Sequence, residues 1–140
     1  MLIMSEFITI KNDHDIQQLF DKVHYFHDSI IRQCMTQSIG YVDSLFGMYG
    51  DVEPFNAKIF IQSQFSESPC IEIYLYRVSK LLLKDVFISE ASGKTKDQRI
   101  FISFSCSSEQ DIQFNNFDII AEDMKYRILD QSFLGERLIF

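Results

Sequence analysis

The sequence predicts an α+β chain, mainly β: one N-terminal amphipathic helix packed on a curved antiparallel meander, or partial barrel, of about six to seven strands. Three observations carry this reading. Segments 57–63, 71–76 and 100–106 alternate in side-chain character at period two, as strands with one buried face do. A single early segment, after Asn12, repeats instead at the helical period of about 3.6 residues. Fourteen Phe and six Tyr, with no Trp, five Gly and two Pro, suit strands better than a helical bundle. The 140 residues read as a single domain, 1–140, large enough to fold without a disulfide framework or a structural metal.

Residues 5–11 fit a short strand or an ordered leader. Asn12 and Asp13 are good helix N-caps, because a short side-chain oxygen can accept an orphan backbone N–H. Ile16, Leu19, Phe20, Val23 and His27 then fall on one helical face, with Asp15, Gln17, Gln18, Asp21 and Lys22 mostly opposite. Residues 29–37 read as a strand. The stretch 38–55, with Gly40, Gly47, Gly50 and Pro54, reads as a long loop holding short turns of structure. Strands are expected over 56–65, 70–78 and 79–91, the last broken near Lys84-Asp85. The polar run 92–98 reads as a loop or hairpin tip, 99–106 as a strand and 117–129 as a long returning strand. The apolar tail ending in Leu138, Ile139 and Phe140 is expected to dock.

Charge and cysteines narrow the function classes. Thirteen basic against 20 acidic residues give a net charge of -7, which disfavours generic nucleic-acid binding and suits a basic protein partner. Cys34, Cys70 and Cys106 are widely spaced and odd in number, which fits neither a zinc ribbon nor a disulfide framework. They fit a reducing cytoplasm, and the first residues carry no basic signal-peptide region. No run approaches the length of a membrane span.

Four constellations could carry chemistry. His14-Asp15, His24, His27 and Asp28 invite comparison with metal-dependent phosphohydrolases that use an HD dyad. On one continuous helix His14 would point away from His24, and that fold is wholly helical. A metal-dependent hydrolase centred on His24, His27 and Asp28 is therefore the alternative reading. His27 reads first as a core histidine at the helix end, with Asp28 as its hydrogen-bonding neighbour or as a turn-former. A nucleophilic triad of Cys34, His27 and Asp28 or Asp43 lacks any local signature, and no G-x-S-x-G elbow occurs. Gly93-Lys94-Thr95 is not a P-loop, because Ile88 stands where the first Gly is needed. Lastly, Phe46, Met48, Tyr49 and Phe55 are framed by Asp43, Asp51 and Glu53 in the 38–55 loop. Aromatic anchors with an acidic rim compose a protein-binding surface, for which Phe46, Tyr49, Asp51 and Glu53 are the contact candidates.

The run Phe26-His27-Asp28-Ser29-Ile30-Ile31, placed after an amphipathic helix, resembles an element of small bacterial proteins in which F-H-D-(S/A/G)-x-(I/V) leads into the first strand of a β-rich domain. Ile71 to Val78, followed by Leu81 to Val86, is similar to a later strand of theirs, with the aromatic Tyr76 at a different spacing before Val78. Some of those proteins resemble immunity proteins that neutralise a polymorphic toxin. The resemblance implies a non-enzymatic bacterial domain in which His27 and Asp28 support the structural junction from helix to strand. The leading reading is an immunity-like binding domain, and no catalytic residue, metal or cofactor is expected. A third reading is a structural or oligomerisation module using an exposed sheet edge or the 134–140 tail, that is, a homo-oligomer.

Overall fold

In the computed structural model the described residues are 6–50, 54–83, 86–104 and 117–130. Helix α1 spans Asp13–Lys22. Its start is a reciprocal cap: Asn12 Oδ1 accepts from Asp15 N–H at 3.0 Å, and Asp15 Oδ2 accepts from Lys11 N–H at 2.8 Å. Ile16, Leu19 and Phe20 are buried, as the periodicity predicts.

The helix stops earlier than that periodicity suggests. His24, Tyr25 and Phe26 all adopt φ near 55°, in the left-handed region, so His27 does not share the helical face with Ile16 and Leu19. This reversal is costly for residues with a Cβ. It is held by tertiary contacts. Phe26 is wholly buried, edge-on to Phe20 and Phe104, and Tyr25 C=O accepts from Ala91 N–H at 2.9 Å.

Among the described residues ten strands occur, in chain order β1 Ile8–Ile10, β2 Ser29–Ser38, β3 Tyr41–Val42, β4 Met48–Tyr49, β5 Phe55–Gln62, β6 Cys70–Leu81, β7 Phe87–Ile88, β8 Ser92–Lys96, β9 Arg99–Ser103 and β10 Ile119–Leu129. Seven lie side by side in the order β7-β2-β5-β6-β10-β9-β8, with every pairing antiparallel. Strand β10 is flanked by β9 at residues 119–121 and by β1 at 124–126. Strands β3 and β4 form a separate hairpin.

Two segments differ from expectation. The 92–98 run is not only a loop: 92–96 is edge strand β8, and Asp97-Gln98 make the two-residue turn into β9 with both φ positive. The expected strand over 79–91 is divided between the end of β6 and the two residues of β7.

The connection between β7 and β8 dictates the shape. These strands lie at opposite ends of the seven-strand path, yet only residues 89–91 join them. In a flat sheet the two edges would lie roughly 29 Å apart. Three linking residues span at most about 14 Å. The sheet therefore curls into a half-barrel. Register shifts at Ile31/Gln33, Phe55/Ala57 and Ile120/Ala121 mark bulges that sharpen strand twist. Its inner face carries Ile59, Ile61, Ile71, Ile73, Leu75, Met124 and Tyr126, which form one core with α1.

Helix α1 is tied to β8 by Asp13. Its Oδ1 accepts from Thr95 N–H at 2.6 Å and from the Thr95 hydroxyl at 2.9 Å. These donors, aided by nearby Lys94, hold the carboxyl below its ordinary range. The folded group is thus the stronger acid. Its stabilisation is complete above about pH 4 and is lost as pH falls through the depressed folded value. Asp13→Asn should therefore flatten the fall of Tm between roughly pH 4 and 2. Parallel Tm curves for both proteins would refute the tie.

Candidate functional site

The most exposed apolar surface among the described residues lies on the β3–β4 hairpin. Leu45, Phe46 and Met48 are 87%, 89% and 84% exposed, and Tyr41, Val42 and Tyr49 are each more than half exposed. Of the contact candidates, Phe46 and Tyr49 fall here. Asp51 and Glu53 lie outside the described residues. Phe55 opens β5 and packs against the core, so it belongs to the fold.

The hairpin is built from local chemistry. At its base the two chains pass so closely that a Cβ on Gly50 would stand 2.4 Å from Gly40 Cα, and Gly50 has φ of 109°. A Cβ on Gly40 would meet Tyr49 O at 2.8 Å. Only glycine permits this crossing. At the tip, Asp43 Oδ1 accepts from Gly47 N–H at 2.8 Å and Leu45 N–H at 2.9 Å. Asp43 N–H donates to Gly47 O at 2.9 Å, and Phe46 N–H donates to Asp43 O at 3.0 Å. The Gly47 and Leu45 backbone donors and the Tyr49 hydroxyl hold the Asp43 carboxyl below its ordinary range. Asp43 thus organises the turn. Across the strands the Tyr41 and Tyr49 rings stack, with centroids 5.2 Å apart. The result is a turn with a fixed backbone that presents Leu45 and Phe46 outward.

An apolar side chain in water gains nothing from solvent exposure. Six together on one locked hairpin form a patch of the kind that marks interaction sites. Sequence reasoning missed Tyr41, Val42 and Leu45. The available signal was Asp43 and Gly47 bracketing a turn between two apolar pairs.

The histidine candidates part company in space. His24 stacks on Phe65 at 3.9 Å between centroids, and its Nε2 lies 3.8 Å from Glu67. His27 Nδ1 lies 2.6 Å from Ser89 C=O, which can only accept, so this nitrogen carries the proton. Its Nε2 is 3.2 Å from Asp28 Oδ2. His27 is not the core histidine expected, because its side chain is 57% exposed, yet it ties the helix-to-strand junction to the link between β7 and β8. His14 lies exposed at the start of α1. Among the described residues no group of three or more His, Cys, Asp or Glu is placed to hold a metal ion.

The two thiols among the described residues, Cys34 and Cys70, are both shifted away from the activated thiolate. Burial, with the nearby Glu72, pushes the Cys70 thiol up to about 11. Desolvation raises Cys34 as well, where an activated nucleophile needs the opposite shift. Cys106 lies outside the described residues. In the Gly93-Lys94-Thr95 run, the Thr95 N–H and hydroxyl are engaged by Asp13. Glu122 is ion-paired with Arg77 at 2.8 Å. Among the described residues no helix is long and apolar enough to cross a membrane. Neither a protein-family model, nor a curated protein, nor a solved structure matches this chain.

Proposed function

We propose that the protein is a non-catalytic, immunity-like protein-binding domain that docks a basic partner through the β3–β4 hairpin. The observation that supports this reading is the set of exposed apolar side chains, Leu45, Phe46 and Met48 foremost, on a backbone locked by Asp43 and the Gly40–Gly50 crossing. Preorganisation matters because an already ordered turn loses little conformational freedom on binding. Large apolar anchors supply the contact energy. The net charge of -7 supplies long-range attraction to a basic surface.

Affinity capture from lysate of the native host, with wild type beside Leu45→Ser/Phe46→Ser, tests the proposal. The wild type should retain one stoichiometric, salt-sensitive protein partner. The double variant should lose it by about 100-fold in affinity, the scale of two anchor truncations. Its Tm should be unchanged, because both side chains are exposed. No stoichiometric partner, or a partner held equally by the variant, overturns the reading. Light scattering covers self-association: a wild-type dimer abolished by the same substitutions would assign the hairpin to a second copy instead.

A further inference from the structure

The outer face of the sheet carries a separate feature, made by strand register. Lys58 of β5 and Lys125 of β10 both stand opposite Tyr74 of β6, one on each side. Their ammonium groups lie 5.6 and 5.3 Å from the Tyr74 ring centroid. Lys125 is also 5.6 Å from the Tyr76 ring and 4.6 Å from that of Phe7. The Tyr74 and Tyr76 rings run nearly parallel, 16° apart, with centroids at 6.4 Å. Phe7 meets Tyr74 edge-on at 5.3 Å. Beside them opens a cavity of about 470 Å³ whose walls include Met35, Gln37, Asn56, Lys58, Tyr74 and Tyr76.

The charges here are unequally committed. Arg127 is ion-paired with buried Glu72 at 2.7 Å. Lys58 and Lys125 make no ion pair with a carboxylate among the described residues. Cross-strand lysines on a solvated face commonly face carboxylates. Here two of them face aromatic rings, in a chain whose overall charge is -7. Burial first, and then the neighbouring Glu72, raise the Tyr74 hydroxyl above its ordinary pKa. Asn56 Oδ1 accepts from Arg77 N–H at 3.1 Å, so its NH2 is the end open to a ligand acceptor.

We infer that this cleft binds a small planar-ring anion of the nucleoside monophosphate class. The ring stacks on the tyrosines, the phosphate lies beside Lys58 at the cavity wall with Lys125 adding attraction from across Tyr74, and the Asn56 and Gln37 amides meet polar ring edges. The volume falls in the ordinary range of small-ligand sites. A long phosphate backbone would run onto the acidic remainder of the surface, which favours the monomer over a polynucleotide.

Amide NMR titration of the whole chain with AMP, GMP, CMP and UMP tests this, with adenosine, inorganic phosphate and an octathymidylate as separate arms. At least one monophosphate should bind with sub-millimolar affinity, with shifts centred on residues 35–37, 56–58 and 74–76. Adenosine and phosphate alone should each bind roughly tenfold more weakly. Lys58→Gln/Lys125→Gln should weaken the monophosphate by about tenfold and erase its advantage over adenosine. Tyr76→Leu, a second route that spares the lysines, should weaken both by roughly tenfold. Leu45→Ser/Phe46→Ser should leave these affinities alone, which separates this site from the hairpin. The inference is overturned by an absence of shifts at millimolar nucleotide, by shifts centred elsewhere, or by affinities that neither set of variants alters. Tighter binding of the octathymidylate than of any monophosphate would also overturn it and assign a polymer.

Discussion

Arg127→Met should lower the free energy of unfolding by about 3–5 kcal/mol, a large effect for one substitution on an outer sheet face. Arg127 Nε lies 2.7 Å from Glu72 Oε2, and the two side chains are 18% and 2% exposed. The cost comes from what remains. Without the guanidinium, Glu72 keeps a charge in a site shut off from water between β5 and β10. The pair itself need not stabilise the fold, because desolvation of two ions offsets their attraction. Glu72→Met/Arg127→Met should therefore recover most of what the single change loses. Urea unfolding of the single and double variants measures both quantities in one cycle. A loss below about 1 kcal/mol for Arg127→Met would mean that Glu72 finds water or another donor.

Phe26→Ala should cost about 3–5 kcal/mol, as truncation of a buried aromatic does. Phe26 is wholly buried, with Phe20 and Phe104 edge-on at 6.0 and 5.6 Å. Its backbone adds a second expectation. At φ near 55°, alanine keeps the steric penalty of a Cβ, whereas glycine removes it. Phe26→Gly should thus be less destabilising than Phe26→Ala by about 1 kcal/mol, the reverse of the helix-interior order. Equilibrium denaturation of both variants tests the difference. A glycine variant less stable than the alanine variant would show that the left-handed turn carries no strain.

That turn also shows where the sequence stops being legible. The start of α1 is written in Asn12 and the spacing of Ile16, Leu19 and Phe20, and the structure has both. The stop is not, because Val23 and His27 continue the apolar period while three residues with side chains reverse the chain. Their conformation depends on Ala91 and Phe104, which lie far along the chain. The strands β5, β6, β9 and β10 were readable from the period-two spacing of their apolar residues, although β9 and the start of β6 are buried on both faces. Strand β8 was not, since Ser92 to Lys96 are polar at an edge and no alternation develops. The curl was legible only from the aromatics on both faces of the alternating strands. Its tighter constraint, the short link from β7 to β8, needs the strand order.

The candidate sites divide the same way. Phe46, Met48 and Tyr49 could be singled out locally, because glycines and acidic residues interrupt the apolar pattern around them. The Lys58–Tyr74–Lys125 row could not, because register alone brings residues from three strands together.

The pairing of β1 with β10 bears on how the chain is made. Ile8 finds its sheet neighbour at Tyr126. At synthesis rates of about 5–20 residues per second, roughly 6–24 s pass between the appearance of the two. Through that interval β1 has no β10 to join, and Ile16, Leu19 and Phe20 of α1 await much of the surface that will bury them. The nascent chain therefore presents an apolar amphipathic segment until strand β10 emerges. Such a segment invites chaperone capture during translation, and the half-barrel seals as a late, chain-wide event.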